Sequence, residues 1–257
     1  MNNTELLEKF FKYFSRVLML LLVMPMTNSA RGLVAKWNGD DTSEREGRIT
    51  LSPMSHLDPI GALMIFLIGF GWSKPMPINY NRMTNIRRGI VTVALAGPVS
   101  HFLTAIVCKL IPCLLLMIPS VYHSYSNIVT LSKSPYNVLL TALRGTVSVT
   151  EFTPLHAFFL VLAIISNINV CLGVINILPL PPLDGFQVLN QFAGAKFHNW
   201  YYANYMQINR ISTIIIFALF FIGDLTRGLI DPLGWLIGLI DGLLSLPFVL
   251  IFPHLIG

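Results

Sequence analysis

Asn176-Ile177-Leu178-Pro179-Leu180-Pro181-Pro182-Leu183-Asp184-Gly185 is the stretch whose reading decides the fold. It follows an apolar run, Leu155 to Ile177, that is long enough to cross a bilayer as a helix. Adjacent prolines supply no N–H and break that helix, and Asp-Gly then allows a turn. Broken backbone at membrane depth is tolerated where it is buried in protein or lines a cavity. A carboxylate there is costly, so Asp184 is either an interfacial capping residue or a functional one.

Composition sets the solvent. The chain has 257 residues, 54% hydrophobic and only 11% charged. Soluble domains carry about 25% charged residues. The chain therefore reads as an all-α integral membrane protein, with the lipid bilayer as its first partner. Its net charge of +5 is too dilute for a nucleic-acid surface and reads as cationic loops beside membrane segments. Cys108, Cys113 and Cys171 all sit in apolar runs and form no C-x-x-C pair, so they read as small buried hydrophobes.

Along the chain, residues 1–16 are amphipathic and suit the membrane interface. Residues 17–257 read as one membrane domain of about five or six segments. The first span runs from Val17 to about Trp37. Pro59 to Trp72 is apolar but short. Residues 73–88 carry Lys74, Arg82, Arg87 and Arg88 with no acid, which places this loop in the cytoplasm by the positive-inside rule. Gly89 to Pro119 is a long apolar run interrupted at Gly97-Pro98. Val121 to Pro154 is less apolar and reads as partly outside the membrane. Ala193 to Arg210 reads as an aromatic interfacial loop, and two further apolar runs close the chain. A short β element is expected within residues 47–80.

Acids between Gly47 and Gly223 are Asp58, Glu151 and Asp184 alone. The stretch Asn176–Gly185 resembles the third-ligand motif of the site-2 protease family, the membrane-embedded zinc metalloproteases. Three other landmarks fall in the family's order. Gly39-Asp40 with Gly47-Arg48 through Pro53, His56, Asp58-Pro59 and Gly61 resembles G-D-x-T-A…G-R-x-T-L-N-P-x-x-H-x-D-P-x-G. Gly71-Trp72-Ser73-Lys74-Pro75-Met76-Pro77-Ile78-Asn79 resembles G-W-A-K-P-V-P-V-N. Ala96-Gly97-Pro98-Val99-Ser100-His101 resembles A-G-P-x-S-N. The resemblance covers residues 24–189 and is closest to the compact bacterial-type branch, which implies a bacterial cytoplasmic membrane.

An active member of that family carries H-E-x-x-H. Histidines at i and i+4 share one helix face and bind one zinc, and the glutamate serves as base on the zinc-bound water. A distant aspartate completes three protein ligands and leaves one position open. Counting back from Gly39-Asp40 by the family spacing aligns this motif with Thr27-Asn28-Ser29-Ala30-Arg31. Both ligands and the base are missing at Thr27, Asn28 and Arg31, and the chain contains no other H-E-x-x-H or H-x-x-E-H. Arginine repels a divalent metal, so no cofactor is expected. A buried Asp184 without its metal needs another cation, and Arg31 is the expected ion-pair partner.

The resemblance thus implies a pseudoprotease that binds a transmembrane segment of another protein without cleaving it. Asn176, Pro179, Pro182 and Asp184 would shape the groove, with Gly97 and Pro98 allowing close helix approach. The alternative is an active intramembrane metalloendopeptidase with a non-standard zinc site built from His56, His101 and Asp184. A small transporter is the other rival, but no inverted repeat supports it.

Overall fold

The computed structural model describes residues 3–68, 71–128, 153–226 and 228–251. Among these residues every regular element is helical. Helix α1 (Asn3–Leu18) continues through a π turn (Met19–Val23) into α2 (Met24–Trp37). A short α3 (Thr42–Arg45) and α4 (Pro59–Ile68) follow, then α5 (Ile86–Leu116) and α6 (Pro119–Ile128). After them come α7 (Pro154–Ile177), α8 (Asp184–Asn190), α9 (Ala195–Ala203), α10 (Tyr205–Leu225) and α11 (Pro232–Ile251).

Among the described residues four helical runs are long and apolar enough to cross a membrane: Tyr13–Trp37, Ile86–Leu116, Pro154–Ile177 and Tyr205–Gly223. A shorter apolar helix covers Pro232–Phe248. On α10, Ile211, Ile214, Phe217 and Phe221 are all exposed, an outward apolar surface that suits lipid rather than water.

Several sequence expectations are corrected. No strand forms among the described residues of 47–80. Pro75 and Pro77 lack the N–H groups a ladder needs, and Lys74 N donating to His56 O at 2.8 Å stands without a ladder around it. Residues 193–210 are not a loop: α9 and the start of α10 occupy them. No proline, and no glycine after Gly194, interrupts this stretch before Gly223, so its aromatic residues stay in helical phase. The long helix α5 passes unbroken through Gly97-Pro98. Asp184-Gly185 does not turn but opens α8, with extended Leu183 before it. Glu151 lies outside the described residues.

The chain forms two compact units. The first comprises residues 1–101 and 172–236. In it Asp58 caps α4, its Oδ1 accepting from Gly61 N at 2.7 Å, with Pro59 in the first helical position. The other end of α4 is closed by Arg16, whose guanidinium donates to Phe66 O and, at 3.1 Å, to Leu67 O. Those last-turn carbonyls have no helical partner and would otherwise be orphaned in an apolar setting. Ala35, Met83 and Val93 form a buried cluster beside the partly buried Ile78 and Tyr80.

The second unit comprises residues 102–171 and 237–257. Its core packs Cys113 and Leu116 of α5, Tyr125 of α6, Phe159 of α7 and Phe248 of α11. The Tyr125 and Phe159 rings meet edge to face at 4.8 Å, the preferred arrangement of two aromatic quadrupoles. Lys109, fully buried on α5, forms a 2.7 Å ion pair with Asp241 of α11. Two charges inside apolar helices are sustained by meeting each other.

Candidate functional site

Residues 27–31 lie on α2, where each polar side chain finds a specific partner. Thr27 Oγ1 donates to Val23 O at 3.0 Å, inside the preceding π turn, and lies 3.4 Å from the ring nitrogens of His101. Asn28 Nδ2 donates to Ser73 Oγ at 3.0 Å. Ser29 Oγ donates to Thr50 O at 2.6 Å. The Arg31 guanidinium bonds the Asp184 carboxylate. Thr27 and Asn28 are buried, and the Asp184 side chain is only 8% exposed against 25% for Arg31. The carboxylate therefore depends more on the pair than the guanidinium does.

Helix geometry brings these groups to one place. Positions 27 and 31 are one turn apart on α2 and share a face. The first turn of α8 presents Asp184 to that face, and this needs Gly185. A Cβ there would lie 2.0 Å from Ile177 O and 2.7 Å from Leu178 O, so only glycine lets α8 begin so close to the end of α7. The Pro181–Pro182 peptide bond in the connection is cis. Pro179 and Pro182 are exposed and Asn176 is half-buried.

The third wall is α5. A Cβ on Gly97 would lie 2.6 Å from Arg31 Nη2 and 2.8 Å from Asp184 Oδ2. Gly97 is thus the space in which the ion pair sits, and Pro98 beside it is buried. Gly97→Ala is expected to push the pair apart and cost about 1–3 kcal/mol, the usual range for overpacking. Unfolding in detergent measures this, and the cost should vanish in an Arg31→Ala/Asp184→Ala background, where the space is empty.

The connecting loops are tied to the same region. Asp40, fully buried, accepts from Asn79 N at 2.7 Å and from Thr42 N at 3.1 Å, joining the end of α2 to residues 71–79. Burial raises its pKa, but the hydrogen bonds from Thr42 and Asn79, with Arg82 nearby, hold the carboxyl below its usual value. Arg48 donates to Lys74 O and Pro75 O at 3.3 and 3.2 Å. His56 is buried, its Nε2–H donating to Thr50 O at 2.8 Å; burial, with Arg48 nearby, holds its pKa below the usual imidazole value.

Zinc does not fit this donor set. A zinc site needs thiolate, imidazole or carboxylate ligands. The α2 face offers a hydroxyl, an amide and a permanent cation, and the cation holds the one carboxylate. Among the described residues no group of three His, Cys, Asp or Glu is placed to hold a metal ion. His56, His101 and Asp184 therefore do not assemble into a relocated ligand set. His198 is engaged elsewhere, 2.6 Å from Asn190 O. Lys109 and Asp241 belong to none of the family motifs. Their signal in the sequence is a lysine within an apolar run of span length.

Comparison with known proteins agrees with the architecture. The model of peptidase family M50 matches residues 15–220. The putative zinc metalloprotease YwhC of Bacillus subtilis (strain 168) is 35% identical over 173 residues, 67% of this chain and 66% of that protein. The match thus spans just under two thirds of that relative's length. No solved structure matches. With a family match over most of the chain, motifs in family order, and apolar helices of spanning length, the chain belongs to peptidase family M50, the site-2 proteases of the membrane.

Proposed function

We propose that this protein is a pseudoprotease: it keeps the family scaffold and binds a transmembrane segment of a partner protein without cutting it. The observation that carries this reading is the Arg31 guanidinium on the Asp184 carboxylate. Residues Thr27-Asn28-Ser29-Ala30-Arg31 stand at the position of H-E-x-x-H. The metal cross-link between α2 and α8 is replaced by an ion pair, so the fold keeps its brace and loses its Lewis acid and its base. Asn28, at the position of that base, is an amide bonded to Ser73 and takes no proton from water.

Asn176, Pro179, Pro182, Gly97 and Pro98 shape the groove. An unwound partner segment has unpaired backbone groups, which are sustained in a membrane only where protein or water meets them. The amphipathic segment ahead of the Tyr13–Trp37 run suits the membrane interface. The membrane in this reading is the bacterial cytoplasmic membrane, and the positive charge of residues 73–88 supports placing them on its cytoplasmic side.

The test uses full-length protein in lipid nanodiscs with single-span reporter helices carrying photo-crosslinkers. Crosslinking without cleavage, and zinc content well below one ion per chain, is the expected result. A chelator-sensitive cleavage product that disappears in Asp184→Ala overturns it.

A further inference from the structure

A shallow cavity of about 250 Å³ opens at the start of α5, lined by Asn85, Arg87, Arg88, Val91, Thr92 and Phe192. It lies within the first unit and uses none of the residues of the Arg31–Asp184 site. Among the described residues no carboxylate lines it. Of the loop's other cations, Arg82 is paired with Asp41 at 3.0 Å. Arg87 and Arg88 are exposed, and neither makes an ion pair among the described residues.

The cavity is organised. The Arg87 guanidinium is held over the Phe192 ring, 4.9 Å from its centroid, a cation–π contact that fixes the arginine against the cavity wall. Arg88 N is held by Asn85 Oδ1 at 2.9 Å. Thr92 Oγ1 is already engaged, donating to Arg88 O at 2.9 Å and accepting from Asn38 Nδ2 at 2.9 Å. The charged donors facing the cavity are the two guanidinium forks, whose planar geometry matches the oxygens of a phosphate group. The first turn of a 31-residue helix adds its positive dipole end.

We infer that this cavity binds a phosphate group, supplied by the headgroup of an anionic phospholipid. Its position favours the lipid source. Arg87 and Arg88 occupy the first residues of a spanning helix, where headgroups lie. Exposed Ile86 and Phe192 give the acyl-chain side an apolar surface. Bound there, an anionic lipid would neutralise Arg87 and Arg88 and hold α5 against the segment after α8.

Native mass spectrometry of the full-length protein in detergent tests this with phosphatidylglycerol and phosphatidylcholine of identical chains. Wild type should retain phosphatidylglycerol preferentially. Arg87→Ala/Arg88→Ala should weaken retention on the order of thirtyfold, at about fivefold for each surface arginine. Arg87→Lys/Arg88→Lys should fall between, having charge without the fork. Arg45→Ala, at an exposed arginine outside the cavity, should change nothing. Competition by millimolar inorganic phosphate would keep phosphate as the recognised group but overturn the lipid as its source; retention undisturbed by free phosphate, with preference for phosphatidylglycerol, is the result expected of the anionic headgroup. Equal retention of the two lipids, an unchanged double alanine variant, or displacement by a phosphate-free acidic peptide overturns the inference.

Discussion

Arg31→Met should destabilise the protein by about 3 kcal/mol, the lower end of the range for breaking a buried ion pair from one side. The variant leaves the Asp184 carboxylate, 8% exposed, without its cation. The lower end applies because Arg31 is itself a quarter exposed and already partly solvated. Arg31→Met/Asp184→Leu should recover wild-type stability or exceed it, since apolar replacement removes both desolvation costs. Reversible unfolding in mixed micelles reads both numbers. Equal stability of Arg31→Met and wild type would mean that the pair does not brace α2 against α8.

Rebuilding the family motif is the larger change. Thr27→His/Asn28→Glu/Arg31→His should convert a protein with no saturable zinc site into one binding about one zinc per chain. Micromolar affinity or better corresponds to a gain of at least about 8 kcal/mol. Position 31 already meets Asp184, and position 27 lies one turn back on the same face of α2. Two imidazoles and the freed carboxylate would then supply the three protein ligands that zinc requires. Metal analysis after dialysis, with circular dichroism to verify folding, reads the outcome. Asp184→Ala in the triple background should remove most of the affinity. A folded triple variant without zinc would show that α2 and α8 no longer hold the family's spacing.

Much of the architecture was legible in the residues, because apolar length and missing charge are local properties. The long runs Val17–Trp37, Gly89–Pro119 and Leu155–Ile177 are helical over nearly all their length in the structure, and the bilayer makes helix the economical way to satisfy their backbone. Local cues misled where they competed. The aromatic and polar residues of 195–210 read as an interfacial loop, yet nothing among them stops a helix. The 71–79 segment fell within the stretch expected to hold a β element, but Pro75 and Pro77 lack the donors a ladder needs. Asp-Gly read as a turn, yet the glycine serves the close start of α8.

The sequence alone settled the solvent, the helical class and the family, and it showed that a cation and no zinc ligands occupies 27–31. Each of these depends on residue type and spacing along one chain. Only the tertiary structure decided what the arginine does. Arg31 and Asp184 are 153 positions apart, and no local rule fixes a distance across that separation. It is set by Gly97 leaving room on α5 and by Gly185 letting α8 begin against the end of α7. The same holds for Lys109 and Asp241, each a costly lone charge in its own helix until the packing of α5 and α11 brings them to 2.7 Å. In an apolar medium a charge is tolerable only with its partner, and the fold alone decides where the partner is.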